Sequence, residues 1–247
     1  MFQRTTALAA LAAGILGLAA MSATAQPEKK AKPEDQAKAK KALQEVQDFI
    51  GMWNLEGQQK IGTKAEAWQE KVTWGWKFKD GDAWITVSFS QVKGKEVTEG
   101  KGKHFNSGEL KYNLEKKKYL LTLVPTVKGE EPQTFEGDYA KGALKVERKD
   151  AKTGDVYRLT LNTVSEGIKF AFKYEKQDGG KGPFSAAHAM LGIKDGVAIG
   201  GPKKPECIVS GGSANIPVTY KGATYYVCCS GCRDEFNAAP EKYVKGK

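Results

Sequence analysis

The sequence predicts a mostly β protein in which an up-and-down antiparallel barrel precedes a small α+β module that holds the cysteines. Between Met52 and Tyr174, hydrophobic and polar residues alternate, and turn residues interrupt the alternation roughly every eight to twelve positions. All four cysteines lie at or beyond position 207, outside this alternating region. With 40% hydrophobic residues and 28 glycines in 247 residues, the composition is that of a globular protein and not of a disordered chain.

The first 25 residues have the pattern of a secretory signal peptide. Arg4 precedes an apolar run from Ala7 to Met21, and Ala23-Thr24-Ala25 supplies small residues for cleavage. The run is shorter than the roughly 20 residues that span a bilayer, so a cleaved signal is favoured over a membrane anchor. Position 26 is Gln and not the Cys of a lipoprotein. We therefore expect an exported protein, periplasmic or extracellular, without a transmembrane segment after cleavage.

The charge argues against one class of partner. The formal net charge is +10, from 39 basic and 29 acidic residues, but arginine occurs only at positions 4, 148, 158 and 233. Specific nucleic-acid recognition depends strongly on the planar guanidinium group, so it is not expected here. A lysine-rich surface would either associate loosely with anionic polymers of the cell envelope or simply keep the protein soluble.

Residues 26–50 are predicted to form a tether followed by a short helix. The segment from Gln26 to Lys41 is rich in Lys, Ala, Glu, Gln and Pro and has no aromatic residue, so it cannot bury enough apolar surface to order itself. Apolar residues then recur at helical spacing: Leu43, Val46, Phe49 and Ile50. This spacing predicts an amphipathic helix with one face packed on the β region.

Residues 51–176 carry the predicted barrel. One face of a strand is apolar at Val72, Trp74, Trp76 and Phe78, and the next strand is apolar at Ile85, Val87 and Phe89. Similar alternation follows at Tyr119/Leu121/Leu123, Leu144/Val146, Tyr157/Leu159/Leu161 and Phe170/Phe172/Tyr174, with turns such as Asp80-Gly81-Asp82 and Thr153-Gly154-Asp155. Eight to ten such strands in sequential hairpins close most simply into a barrel without open edges. A sandwich of two sheets is the alternative.

The opening of the β region resembles that of lipocalin-like barrels. Gly51-Met52-Trp53 follows the predicted helix and matches the G-x-W pattern of those proteins. The resemblance implies a lipocalin-like fold, whose interior either holds a small apolar molecule or is filled by its own aromatic side chains. A Gly-rich linker is predicted next, over residues 177–202, in which Ala187 to Leu191 could form a short helix.

Residues 203–247 form the predicted cysteine module, with Cys207, Cys228, Cys229 and Cys232 as candidate metal ligands. A unit of about 40 residues usually needs a metal or disulfides to fold. Thiolates close together select thiophilic ions such as Cu(I) or Zn(II) over Mg or Ca. Ser230 is expected to cap a helix that places Cys232 in its first turn, where the helix dipole favours ionisation of the thiol.

The string PECIVSGGSANIPVTYKGATYYVCCSGCRDEFNAAPEKYV resembles the YHS and TRASH metal-binding modules. The resemblance implies binding of a heavy metal. Members with four thiolates have a second Cys where this chain has Ser210, so we expect three ligands: Cys207, Cys232 and one of Cys228 or Cys229. Two disulfides are the main alternative in an exported protein, and reversible thiol redox chemistry is a further one.

Few other residues suggest chemistry. His188 and Met190 could reach the metal if their segment folded over the module, although a packed or solvated His is the simpler expectation, and His104 is assigned no role. No phosphate-binding loop, nucleophile elbow or catalytic triad stands out, so no enzyme is expected. The expected function is that of an exported protein that handles, delivers or buffers a thiophilic ion, with a metal-transport or envelope protein as a possible partner. A carrier of an apolar ligand with a disulfide-bonded interaction module is the alternative.

Overall fold

The computed structural model describes residues 32–61, 64–92, 104–165, 167–196 and 204–244. The predicted signal peptide, residues 1–25, lies outside the described residues. The helices are α1 (Pro33–Gln44), α2 (Ser230–Ala238) and α3 (Glu241–Val244), with short 3-10 helices at Gln47–Phe49 and Asp178–Gly180. The strands are β1 (Gly51–Ile61), β2 (Lys64–Lys79), β3 (Asp82–Gln91), β4 (Phe105–Asn113), β5 (Lys118–Pro125), β6 (Gln133–Ala140), β7 (Ala143–Lys149), β8 (Val156–Val164), β9 (Lys169–Gln177), β10 (Ser185–Lys194), β11 (Ile216–Tyr220) and β12 (Ala223–Val227).

Strands β1 to β10 form a closed antiparallel barrel. Each strand pairs with the next along the chain, and β10 pairs with β1 in a register that sets Trp53 opposite Lys194. The up-and-down barrel is therefore confirmed over the sandwich. Ten strands are present, against about eight in a lipocalin, so the likeness lies in the architecture and not in the strand number.

The alternation of side chains across the strands fills the barrel with aromatic and aliphatic groups. In β2, Val72, Trp74 and Trp76 are buried, as their period of two predicts. The largest fully buried side chains include Trp53, Trp74, Trp76, Phe135, Phe170 and Phe172. The interior is thus occupied by the protein's own side chains at these positions.

The predicted hairpin turns are present between the strands. Asp80 and Gly81 both have positive φ, 52° and 91°, and Lys141 and Gly142 have 52° and 77°. Two successive residues of positive φ match the right-handed twist of the flanking strands, and glycine adopts this conformation without a steric penalty. These dipeptides therefore fix the register of the β2–β3 and β6–β7 hairpins.

Two segments differ from their predicted state. Residues 185–194, assigned to the Gly-rich linker and to a short helix at Ala187–Leu191, form barrel strand β10, because pairing with both β9 and β1 satisfies their backbone. The segment from Gln26 to Lys41, assigned to a tether, contains most of α1. Pro33 lies at the start of that helix, and Glu34 and Asp35 complement the positive end of its dipole.

The segment after α1 packs against aromatic residues of the barrel interior. Leu43, Val46 and Phe49 are fully buried, which confirms the packing predicted from their spacing, although α1 itself ends at Gln44. The Phe49 ring lies 5.2 Å from that of Phe170, and the Trp53 indole donates a 2.7 Å hydrogen bond to the Phe49 carbonyl. The N-terminal segment therefore covers the barrel interior at the end where β1 begins.

Among the described residues, no helix combines the length and hydrophobicity that crossing a membrane requires.

Candidate metal centre

Three local structures place cysteines in the C-terminal module. Cys207 begins a tight turn in which its N–H donates to the Gly212 carbonyl at 2.6 Å and its carbonyl accepts from Gly211 at 2.8 Å. Cys228 directly follows β12, and Cys232 lies in the first turn of α2. The β11–β12 hairpin brings the strand end and the helix start beside the turn, because the Ile208 N–H donates to the Tyr226 carbonyl at 3.0 Å.

The thiols of Cys207, Cys228 and Cys232 form a compact group. Their Sγ atoms all lie within 4.8 Å of one another, and those of Cys228 and Cys232 are 3.6 Å apart. Cys207 and Cys232 are buried, and Cys228 is partly exposed. All four cysteines are free thiols in this structure.

The group has dimensions that suit a single soft ion. Thiolates bound at about 2.3 Å to one ion in a trigonal plane are separated by about 4.0 Å. One observed separation is 3.6 Å and none exceeds 4.8 Å, so small side-chain adjustments would allow all three sulfurs to bind one ion. Three sulfur donors match a thiophilic metal and not Mg or Ca.

Cys229 is oriented differently from its neighbour Cys228. Its Sγ accepts a hydrogen bond of 3.3 Å from the backbone N–H of Trp76 in β2 and also contacts Cys228 and Cys232, but it lies outside the three-thiol group. Adjacent residues at the end of a strand project in opposite directions, so only one of the pair can face the Cys207 turn. Cys228 is the one that does, a choice that the sequence analysis left open.

The thiols influence one another's ionisation. Hydrogen bonding with Cys228 lowers the pKa of Cys207. Hydrogen bonding with Cys228 and Cys232 lowers the pKa of Cys229 to about 3. Hydrogen bonding to Cys207 raises the pKa of both Cys228 and Cys232. The expectation that Cys232 ionises readily is therefore wrong, because hydrogen bonding within the cluster and burial raise its pKa.

Two serines near the cluster have roles other than ligation. The Ser210 Oγ lies 3.4 Å from the Cys228 Sγ, within hydrogen-bond distance. Ser230 is not the N-cap of α2, because the helix already begins at Ser230 and Cys229 occupies the cap position without a side-chain hydrogen bond. The predicted place of Cys232 in the first turn is confirmed.

An aromatic cluster supports the thiol-bearing helix. The Phe236 ring is fully buried, 5.7 Å from Tyr225 of β12 and 6.4 Å from Tyr243. The Tyr243 hydroxyl donates a 2.6 Å hydrogen bond to Glu235. These contacts hold α2 against the hairpin.

The module packs directly on the outside of the barrel. A Cβ on Gly231 would lie 1.7 Å from the Trp76 carbonyl oxygen, so only glycine permits this approach of α2 to β2. From α1, Lys40 and Gln44 donate side-chain hydrogen bonds to the carbonyls of the Cys207 turn. These contacts could not be predicted from sequence, because a Lys/Ala-rich segment gives no sign of a partner about 170 residues away.

His188 and Met190 do not approach the thiols. Both are buried in β10, and the His188 ring stacks on that of His104 at 4.1 Å with only 5° between the planes. Burial and the neighbouring His104 lower the pKa of His188 to about 2, and burial lowers that of His104. His188 is therefore a buried residue of the barrel interior, stacked on the half-buried His104.

Comparison with known proteins agrees with the module's geometry. The model of the YHS domain family matches residues 212–247. The chain carries a C-terminal YHS domain. Cys228, Cys229 and Cys232 lie inside the match, and Cys207 lies just before it.

No curated protein matches the chain in sequence. Among solved structures, the chain is similar to the crystal structure of Rv2717c from M. tuberculosis, with 15% identity over 62% of this chain and 97% of that one, at a TM-score of 0.40.

Proposed function

We propose that this protein is an exported heavy-metal-binding protein that handles, delivers or buffers a thiophilic ion through its YHS domain. The single observation that carries the proposal is the group formed by Cys207, Cys228 and Cys232, whose Sγ atoms lie within 4.8 Å of one another. The YHS match and this cluster together indicate metal binding, and a barrel that carries such a domain suggests a binding protein rather than a catalyst.

The donor set favours Cu(I) over Zn(II) as the ion. Structural zinc sites are almost always four-coordinate, whereas three thiolates leave one zinc position to be filled by another group. Soft thiolates alone are sufficient for Cu(I). The Ser210 hydroxyl is a poor metal ligand at neutral pH. It lies within hydrogen-bond distance of Cys228, so we assign it a hydrogen-bonding role and not that of a fourth ligand.

The location is part of the proposal and rests on the N-terminal sequence. Arg4, the apolar run that follows it and Ala23-Thr24-Ala25 support cleavage before Gln26. Expression of the full chain in a bacterium with an outer membrane tests this. The mature protein should begin at Gln26 and be found in the periplasmic fraction or in the medium. A cytosolic protein that retains its first 25 residues would contradict it.

Metal analysis of four single Cys→Ser variants tests the site. Protein purified under reducing conditions and loaded with Cu(I) or Zn(II) should hold about one tightly bound ion per chain. Substitution of Cys207, Cys228 or Cys232 should remove most of it. Cys229→Ser should retain most of the ion, because this sulfur contacts Cys228 and Cys232 but lies outside the three-thiol group and accepts a hydrogen bond from Trp76.

Two results would contradict metal binding. Equal metal content in all four variants would show that the cluster is not the site. A native protein without free thiols, whose extract contains a bound apolar molecule, would support the carrier with a disulfide-bonded module instead. The large side chains inside the barrel, such as Trp74 and Phe172, argue against that second function, because they occupy the space a ligand would need.

A further inference from the structure

The N-terminal helix α1 contacts the turn that carries Cys207. The Lys40 ammonium donates a 3.0 Å hydrogen bond to the Val209 carbonyl, and the Gln44 amide donates one of 2.9 Å to the Ser210 carbonyl. These donors are one helical turn apart on α1, and their acceptors are successive peptide groups. The barrel's N-terminal helix therefore holds the first metal-ligand turn at two points, one charged and one neutral.

Lys40 lies in a partly buried, aromatic environment that restricts its position. Its ammonium is 5.4 Å from the centre of the Phe78 ring in β2 and 5.8 Å from that of Tyr243 in α3. By contrast, Lys38 and Lys41 on the same helix are exposed. A lysine loses solvation and side-chain entropy when it is held in this way, so the site must offer it a compensating interaction.

The thiolates of a bound metal complex would offer that interaction, because Lys40 donates its hydrogen bond to the turn that carries Cys207. Burial, and then the nearby charge of Lys242, lowers the pKa of Lys40, whereas Cys232, Glu235 and Cys207 act in the opposite direction when they are ionised. Three thiolates with Cu(I) carry a net charge of −2, and with Zn(II) of −1. A fixed positive charge beside a partly buried anionic complex stabilises it, because few water molecules screen the pair.

We propose that Lys40 is a positioning and charge-compensating residue of the metal centre, supplied by the barrel domain to the YHS domain. The inference rests on the proposed function. Gln44 fixes the same turn without a charge, so the two residues separate the mechanical contribution from the electrostatic one. We expect the loss of this one positive charge to change metal affinity by about tenfold, or ~1.4 kcal/mol.

The experiment measures Cu(I) affinity by competition with a chromogenic Cu(I) chelator, on reduced full-length protein. Lys40→Met should weaken binding about tenfold, and Lys40→Arg should restore most of the affinity, since it keeps the charge. Lys41→Met is the matched control on the exposed side of the helix and should bind like the parent. Gln44→Leu should lower the midpoint of urea unfolding but change affinity by less than about threefold.

Salt dependence separates a charge effect from a loss of support. The tenfold difference between the parent and Lys40→Met should shrink when the salt concentration is raised, and the Gln44→Leu difference should not. If Lys40→Met does not fold, Lys40→Gln serves in its place, because it keeps a donor for the Val209 carbonyl without the charge.

The outcomes distinguish this inference from the proposed function. A parent protein that does not bind Cu(I) contradicts the proposed function itself. A parent that binds, with equal affinity in Lys40→Met, overturns the role of Lys40 alone. Equal, salt-independent losses in Lys40→Met and Gln44→Leu would show that α1 only supports the turn, and would also overturn it.

Discussion

The stacked imidazoles inside the barrel should make its stability depend on pH well above the range in which carboxylates titrate. His188 is 2% exposed and stacks on His104, and its Nδ1 has no hydrogen-bond partner among the described residues. Burial, then the charge of His104, lowers the pKa of His188 to about 2. In the unfolded chain the same group has a pKa of about 6.5. Acidification should therefore destabilise the protein more than its His188→Phe variant.

The sign follows from the direction of the shift. The folded-state pKa lies below the unfolded-state value, so the unfolded chain binds the proton first. The stability that the neutral His188 contributes is complete above the unfolded pKa and is lost as pH falls from about 6.5 towards about 2. From about pH 7.5 to about pH 5.5, an unfolded histidine gains ~0.8 proton, which lowers the free energy of unfolding by about 1.4 kcal/mol. The lowered pKa of His104 adds a loss of the same sign.

Urea unfolding at constant ionic strength, followed by fluorescence of the five tryptophans, measures this effect. The free energy of unfolding of the parent should fall by at least about 1.4 kcal/mol over this interval, and that of His188→Phe by about 1.4 kcal/mol less. Phenylalanine keeps an aromatic ring beside Phe172, so the variant should fold. Parallel stability curves for the two proteins would refute the reasoning, because His188 would then titrate alike in the folded and unfolded states.

Two further predictions concern packing. Gly231→Ala should destabilise the protein by about 1–3 kcal/mol, because its Cβ would collide with the Trp76 carbonyl, whereas the adjacent Ser230→Ala should be nearly neutral; equal urea midpoints would contradict this. Phe135→Ala should cost about 3–5 kcal/mol, since the ring is fully buried in the barrel. Phe184→Ala is its control: that ring stacks on a guanidinium at the surface, so its loss should cost less than about 1 kcal/mol, measured in the same way.

The sequence predicted the barrel where inward residues are apolar and outward residues are polar. In β3, Ile85, Val87 and Phe89 are buried and alternate with Thr and Ser, and this contrast identifies a strand with one face in the core. The turns between strands were equally informative, because Asp80-Gly81 requires a backbone that few other dipeptides adopt.

Strand β10 was misassigned because its pattern runs against this rule. Its inward face includes His188, and its outward face carries Leu191 and Ile193, which are 54% and 50% exposed. Hydropathy therefore does not reveal its orientation. This segment is a strand because the closed barrel needs one strand that pairs with both β9 and β1. That long-range constraint is not visible in a local sequence pattern.

The site was predictable in its ligands but not in its surroundings. Clustering of the cysteines and the resemblance to YHS modules identified the four candidates from sequence alone. The choice between Cys228 and Cys229 depends on which sulfur faces the Cys207 turn, and this is fixed by the contact of Cys229 with Trp76 on the barrel. Sequence spacing carries no information about that contact.

Barrel closure explains why the N-terminal helix reaches a C-terminal metal centre. Because β1 and β10 are antiparallel neighbours, with Trp53 opposite Lys194, the chain enters β1 at the same end of the barrel where it leaves β10. Segments before β1 and after β10 must therefore emerge side by side, and α1 and the YHS domain can touch although about 170 residues separate them. A sandwich with distant terminal strands would not impose this proximity. The barrel thus contributes to the metal centre through its topology: by joining its first and last strands, it brings Lys40 and Gln44 to the Cys207 turn.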